Sequence, residues 1–277
     1  MTPHLSALTE AHAARSLDPY RLVGSPGYVL AGLASVTEYS PQEISSGAGG
    51  IEIAGAADAS NVFLVAPRPP RTPPLRVAFG RNVRDCLIFV GPDCTLSGDI
   101  HFFASGGRVL LNGGMAHGGT IRAQFWSANQ TLFVGHRAST NGNLYVLGGE
   151  NRCIIVGEDC MFAANIALRT SDLHAMIDMS TGQRLNPTAD VVLEPHVWLG
   201  DHVIVGKGVC VKLGSVVGAR SLVNKTFPRF SLLGGTPAKR IRGDVTWTRH
   251  GDGAPGFVGE MRAYADSIPE FTAKLRQ

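Results

Sequence analysis

The sequence predicts an all-β protein, a parallel β-helix of hexapeptide repeats, and three observations carry that prediction. Written in sixes from Val191, the chain reads VVLEPH, VWLGDH, VIVGKG, VCVKLG, SVVGAR and SLVNKT, with Val or Ser first, Leu or Val third and most often Gly or another turn-tolerant residue fourth. A short fixed period of this kind marks stacked coils, in which each unit supplies one strand and one corner and three units close a triangular turn. The same register runs upstream: IFVGPD, CTLSGD, IHFFAS from Ile88; VLLNGG, MAHGGT, IRAQFW from Val109; LFVGHR, ASTNGN, LYVLGG from Leu132; IIVGED, CMFAAN, IALRTS from Ile154. First and third positions share one face of a strand, and here they are apolar except at His117, Thr140, Ser215 and Ser221. The composition agrees, with 44% hydrophobic residues, only 17% charged and 34 glycines, which suits a compact chain full of tight corners. A propeller would need units of about 40 residues.

Residues 1–74 precede the clear repeats. They hold a short helix over roughly 4–16, then Gly-rich and apolar pieces, and end in the proline-rich APRPPRTPP (66–74), expected to be an extended connector. The β-helix is expected over 75–226. Its upstream coils begin 21, 23 and 22 residues apart, so each places a few extra residues at one corner. The fourth-position glycines are expected at corners, where they adopt backbone angles that other residues resist. The repeat breaks at RTSDLHAMIDMSTGQRLN (169–186) and resumes at Val191, which marks 171–190 as an excursion loop. Residues 227–277 form a C-terminal segment whose stretch 256–277 reads as one or two helices broken by Pro269. Both ends are expected to cap the exposed terminal coils of the solenoid.

The charge balance, 25 basic against 22 acidic residues with no basic block, excludes a nucleic-acid footprint. MTPHLSALTEAHAARS lacks a signal-peptide layout and no apolar run reaches the ~18 residues of a membrane span, so a soluble cytoplasmic protein without a transmembrane segment is expected. Cys86, Cys94, Cys153, Cys160 and Cys210 are odd in number and form no CxxC, which argues for reduced residues in or near the core. Neither Walker A nor GxGxxG is present, so nucleotide hydrolysis and hydride transfer are not expected.

The run VVLEPHVWLGDHVIVGKGVCVKLGSVVGARSLVNKTFPRFSLLGGTPAKRIR resembles the C-terminal coils of the hexapeptide-repeat acyltransferases, and GGTPAKRIR (234–242) is similar to their G-x-P-A-K signature. The segment SDLH…TGQRLNP…VWLG resembles more narrowly the branch that O-acetylates bacterial surface polysaccharides, including capsule and polysialic acid. The match is good over about 150–245, holds by period alone over 85–150, and does not reach residues 1–80. Glu194-Pro195 departs from the family's usual Gly-Asp, which leaves the shape of that corner open. The resemblance implies a left-handed β-helix, acetyl-CoA as donor with no metal, a carbohydrate acceptor, and a homotrimer with active sites between subunits.

Acetyl transfer from a thioester to a hydroxyl needs a base, donors for the developing oxyanion and a cradle for the coenzyme's phosphates. His174 is the candidate base, because imidazole titrates near working pH. By count His174 falls at an inward aliphatic position, where an unpaired imidazole is costly, so the chain is expected to leave the coil there and present it. Asp172 or Asp178 is expected to orient the ring, unless each caps a turn through neighbouring backbone. Trp198 stands at an outward second position, where a large exposed aromatic is expected to face a partner subunit or a ligand; the resemblance implies that it lines the CoA and acceptor site, with packing between subunits as the alternative. Lys225, Lys239, Arg240 and Arg242 concentrate positive charge where the family holds the phosphate end of CoA. The backbone N–H groups of Gly206, Gly218, Gly234 and Gly235 are expected to approach the ligand, since no side chain intervenes.

The competing readings are an N-acetyltransferase of a nucleotide amino sugar, a zinc carbonic anhydrase-like enzyme and a catalytically silent scaffold. The zinc reading needs three converging histidines. His196 and His202 stand six apart, which places them on successive faces of the prism.

Overall fold

The computed structural model describes residues 1–113, 119–251, 253 and 255–276. Three parallel sheets form the sides of a triangular prism. Face I stacks Val62–Val65, Leu87–Val90, Arg108–Leu111, Thr131–Val134, Cys153–Val156, Val191–Leu193 and Cys210–Val211, with Thr37–Tyr39 added antiparallel at its lower edge. Face II stacks Ile51–Ala54, Leu75–Phe79, Ser97–Phe102, Thr120–Phe125, Asn143–Gly148, Ile166–Arg169, Ile204–Val205 and Leu222–Val223. Face III stacks Ser139–Thr140, Met161–Phe162, Trp198–Leu199, Val216–Val217 and Leu232–Gly235, and closes with Ala238–Arg242, antiparallel to its neighbour.

The expected register holds. Ile88 pairs with Val109, Val109 with Leu132, Leu132 with Ile154 and Ile154 with Val191, so first-position residues stack in a column inside the prism. These side chains belong to one continuous buried core. Full burial of each is worth roughly 1.5–3 kcal/mol. The inward polar residues find backbone partners: Thr140 Oγ1 donates to the Gly142 carbonyl at 3.2 Å, and Ser221 Oγ donates to the Gly218 carbonyl at 2.7 Å. Ser215 Oγ accepts from the Ser231 N–H at 3.3 Å. His117 lies outside the described residues.

Four expectations are corrected. The stacked strands begin at Ile51, not at residue 75, because Ile51–Ala54 and Val62–Val65 pair in parallel with the strands above them. The stretch 66–74 is therefore part of the first coils rather than a connector, and Arg68 ties it down by donating to the carbonyls of Gly50 and Leu96 at 2.7 and 2.5 Å. The first helix, α1, spans Pro3–Ala13, with Thr2 as its N-cap and Pro3 at its start.

Where a corner has left-handed angles they fall most often on the sixth residue of the unit, not the fourth: Asp93, Arg137, Asp159, Asn165, His196, His202, Gly208, Gly214 and Arg220 have positive φ, as does the fifth-position Gly98. The fourth-position glycines serve close approach between coils. A Cβ on Gly135 would stand 2.5 Å from the Glu158 nitrogen, and one on Gly157 would stand 2.5 Å from the Pro195 nitrogen.

The terminal segments cover the ends of the prism only in part: Ile44, on the short helix at Pro41–Ser45, packs into the prism core beside the first coil, and Phe227 packs against the same core. Otherwise these segments run along face I, whose outward second positions are apolar as well: Leu64, Phe89, Leu110, Phe133, Ile155 and Val192 form a second core with Leu5, Leu8, Val23, Tyr28, Leu30, Phe271 and Leu275. A helix over Phe257–Ser267 (called α3 below, after α1 and the short α2 at Pro41–Ser45) ends two residues before Pro269. Glu194, the departure at the corner, is fully buried and organises this region. Its carboxylate accepts from the N–H groups of Leu213 (2.9 Å) and Phe271 (2.8 Å) and from Arg229 Nε (2.9 Å). Arg229 in turn donates to the carbonyls of Ala265 and Ile268 at the C-terminal end of α3, both at 3.1 Å. Among the described residues no helix is long and apolar enough to cross a membrane.

Candidate active site

The excursion grows from the corner that joins face II to face I, the corner that holds the shorter insertions 103–107, 126–130 and 149–152 between successive strands. It opens at Ser171, whose Oγ accepts from the Leu173 N–H at 2.9 Å in a one-residue turn. Leu173 has φ of 64°, a left-handed angle that costs a bulky residue free energy and that turns the chain out of the coil ahead of His174. His174 is exposed, and no described residue hydrogen-bonds its ring.

What holds the His174 backbone is Asn186, at the far end of the loop and buried. Its Nδ2 donates to the His174 carbonyl at 2.9 Å and to Asp172 Oδ2 at 2.8 Å, while its Oδ1 accepts from the Met176 N–H at 2.7 Å. Lys207 Nζ pairs with Asp172 and also donates to the Asn186 carbonyl at 3.2 Å. Burial pushes the Asp172 carboxyl up, but Lys207 and Asn186 outweigh it and hold the group below its ordinary value. Neither residue was singled out from sequence. A lone Asn and a lone Lys have many surface uses, and only the fold brings residue 207 of the next coil beside residue 172.

Two expectations about the acids change. Asp172 faces Lys207 and Asn186 rather than the imidazole. Asp178 caps a turn: Oδ1 accepts from the N–H groups of Ser180 and Thr181 at 2.8 and 2.9 Å and from Ser180 Oγ at 2.5 Å, which lowers its pKa to about 2. That turn joins two arms bridged at Ile177 and Arg184. The arms and tip leave Leu173, Met176, Ile177, Met179 and Leu185 exposed. So many apolar side chains on one projecting loop call for a partner surface.

The remaining candidates lie elsewhere. Trp198 projects from face III, 37% exposed, with Trp247 6.1 Å away. Face III is the side of the prism opposite the corner that bears His174, so a single chain does not bring the two together. Lys239, Arg240 and Arg242 lie exposed on the last strand of face III, and Lys225 sits 5.4 Å above the Phe227 ring at the top of face II.

Three of the four glycine N–H groups expected to cradle phosphate are already committed. Gly206 donates to the Val223 carbonyl at 2.9 Å, Gly218 to the Leu233 carbonyl at 2.8 Å and Gly235 to Ser221 Oγ at 3.1 Å. Their contribution is bare surface at the top of faces II and III, with Gly234 opposite Lys239 in the ladder.

His196 does not read as a metal ligand. Its Nδ1 meets Asp159 Oδ2 at 2.7 Å and its Nε2 meets the Trp247 carbonyl at 2.8 Å, while its ring stacks on Trp247 at 4.2 Å. Burial raises Asp159, but His196, Arg249 and Arg137 together bring it below its ordinary value. His202 Nε2 lies 3.2 Å from Asn165 Nδ2. Among the described residues no group of three or more His, Cys, Asp or Glu side chains is arranged to hold a metal.

No family model matches the chain. A polysialic acid O-acetyltransferase of Escherichia coli O1:K1 is 34% identical over 119 residues, 43% of this chain and 38% of the relative. A polysialic acid O-acetyltransferase of Neisseria meningitidis is 37% identical over 70 residues, 25% of this chain and 33% of the relative. The chain thus spans 38% and 33% of the lengths of these two relatives. Among solved structures, the crystal structure of the polySia-specific acetyltransferase NeuO aligns with a TM-score of 0.67 at 25% identity, covering 76% of this chain and 95% of that one. The likeness extends to the hand of the coil: the prism is a left-handed β-helix.

Proposed function

We propose that this chain, a member of the hexapeptide-repeat acetyltransferase family, transfers an acetyl group from acetyl-CoA to a hydroxyl of a bacterial surface glycan. The observation that carries the reading is His174, exposed on a loop whose backbone is fixed by a buried asparagine while its ring is left free of the chain's own hydrogen bonds. That is what a general base for an external hydroxyl requires. The acetyl thioester supplies the group transferred. His174 takes the proton of the acceptor hydroxyl, the oxygen attacks the thioester carbonyl as the carbon–sulfur bond breaks, and the imidazolium returns the proton to the departing sulfur. The products are an acetyl ester and free CoA thiol. Holding both substrates in one cleft supplies much of the rate advantage.

Lys239, Arg240, Arg242 and Lys225 are the groups suited to the phosphates of CoA, and Trp198 to its pantetheine arm or the acceptor. Because His174 and Trp198 lie on opposite sides of one prism, the reading requires a second copy of the chain, whose face III would lie against the His174 corner. The exposed apolar loop supports such an assembly, and three chains closing around an axis would give each corner a neighbouring face. The reaction belongs in the cytoplasm, where acetyl-CoA is supplied.

Free-thiol release from acetyl-CoA is the direct test, with sialic acid polymers, other bacterial glycans and nucleotide amino sugars as acceptors. His174→Ala should lose turnover by at least a hundredfold with CoA affinity and melting temperature retained. Turnover within tenfold of wild type would overturn the assignment of His174.

A further inference from the structure

We infer that the middle of face II and the corner beneath the His174 loop form a docking track for a carboxylated polysaccharide chain; the inference rests on the function proposed above and names the acceptor's class. The track has two parts. At the corner, Phe103 and Trp126 occupy the same step of successive coils and stack face to face, with ring centroids 3.9 Å apart and planes 8° from parallel. His101 stacks beneath them, 3.8 Å from Phe103. Trp126 is 42% exposed. One coil higher its step is taken by Gly149, and the next coil carries Ser171 and the His174 loop. The stack therefore points up the corner towards the candidate base: the intervening step, Gly149, carries no side chain, and the carboxylate of Glu150 that follows it is taken up by Arg184 of the loop at 2.6 Å and by Thr188 at 3.0 Å.

Beside the corner, the outward columns of face II read Arg122, Tyr145, Ala167 and Gln124, Leu147, Arg169 from coil to coil. With Leu173, these residues line an open depression of about 530 Å³. Arg122 and Arg169 are exposed, bracket the exposed ring of Tyr145, and have no ion-pair partner among the described residues. No outward position of the strands Thr120–Phe125, Asn143–Gly148 and Ile166–Arg169 carries an acid. The nearest acid below, Asp99, faces Arg76 at 3.7 Å.

Flat rings next to unpaired guanidinium groups suit a ligand that is apolar on one side and carboxylated at intervals. Sugar rings offer C–H faces to Trp126 and Tyr145, and carboxylates match the planar fork of Arg. Successive coils are about 4.8 Å apart, so the three steps from Phe103 to the His174 coil cover roughly 14 Å. That length fits a polymer rather than a single sugar, and Leu173, which lines the depression, immediately precedes His174.

The test separates binding from transfer. Wild type, Arg122→Gln/Arg169→Gln and Trp126→Ala would be titrated without acetyl-CoA against polysialic acid, hyaluronan and neutral dextran. They would then be assayed for acetyl transfer to polysialic acid and to a sialic acid dimer. The expected result is binding of a carboxylated polymer but not dextran, weakened at least tenfold in each variant and by salt in wild type. The KM for polymer should rise in parallel, with kcat, the KM for acetyl-CoA and the rate with dimer unchanged. Equal binding by wild type and variants, no polymer binding by wild type, or a change in oligomeric state on sedimentation would each overturn the track, the last because the face would be a subunit contact. Track-dependent binding without transfer to any acceptor would uphold the track and sink the proposed reaction instead.

Discussion

Replacing Asn186 with alanine tests whether the His174 loop works by being held. The side chain is buried and makes three hydrogen bonds, to Asp172 Oδ2 at 2.8 Å, to the His174 carbonyl at 2.9 Å and from the Met176 N–H at 2.7 Å. Two are neutral and worth about 1 kcal/mol each; the one to a carboxylate is worth about 1.5–3 kcal/mol. Their loss removes roughly 3–5 kcal/mol from the closed loop relative to an open one. The core coils lose little, because none of the three bonds involves an inward residue. At about 1.4 kcal/mol per tenfold, a loop closed by about 1 kcal/mol in wild type would become open by roughly 2–4 kcal/mol, and kcat should fall between thirtyfold and a thousandfold.

The assay pairs initial rates with amide hydrogen exchange over 172–186. Exchange there should accelerate while that of 191–223 and the affinity for CoA stay unchanged. Asn186→Asp keeps the acceptor for Met176 but removes the donors and faces Asp172 with a like charge, so it should be no better than alanine. A kcat within twofold of wild type, or slow exchange in the loop of Asn186→Ala, would refute the reasoning.

Glu194→Gln should release the C-terminal tail, since it leaves Arg229 facing a neutral amide in a buried site and weakens the bonds to the Leu213 and Phe271 N–H groups. Breaking such a pair costs about 3–5 kcal/mol; the low end, roughly 3 kcal/mol, applies because Arg229 retains its bonds to Ala265 and Ile268, and a melting-temperature loss of roughly 6–12 °C follows. Limited proteolysis should then cut first after α3. The Asp172–Lys207 pair sets an acid limit on the loop. The folded carboxyl ionises below its ordinary value of 3.8, so its contribution is present above that value and lost as pH falls through the lower folded pKa. Loop exchange, corrected for intrinsic rates, should be flat from pH 7 to about 4 and rise below; a rise beginning near pH 6 would assign the limit to a different group.

The prism was legible because a six-residue period leaves little choice. Once first and third positions must face one way, Ile88, Val109, Leu132, Ile154 and Val191 can only stack. The excursion was legible for the converse reason, since a histidine at an inward count has to leave the core. The face I cover was written in the sequence but easily passed over. Apolar second positions at Phe89, Leu110, Phe133, Ile155 and Val192 mean that this face is covered, yet without the fold nothing says by which segment. Cover by the chain's two ends, more than 250 residues apart in the Tyr20–Arg276 contact, is non-local and leaves no period to read.

The sequence by itself therefore determined the coil, its register, the corner that breaks and the histidine presented there, because each follows from local periodicity and the cost of burying a polar group. Only the tertiary structure decided what holds that histidine and what lies beneath it. Asn186 and Lys207 reach Asp172 across the loop's closure and the next coil, and Trp126 comes to stand below the loop through the stacking of coils. Those are contacts between residues far apart in sequence, where the energy of a hydrogen bond or ring stack depends on distances that only the folded backbone sets.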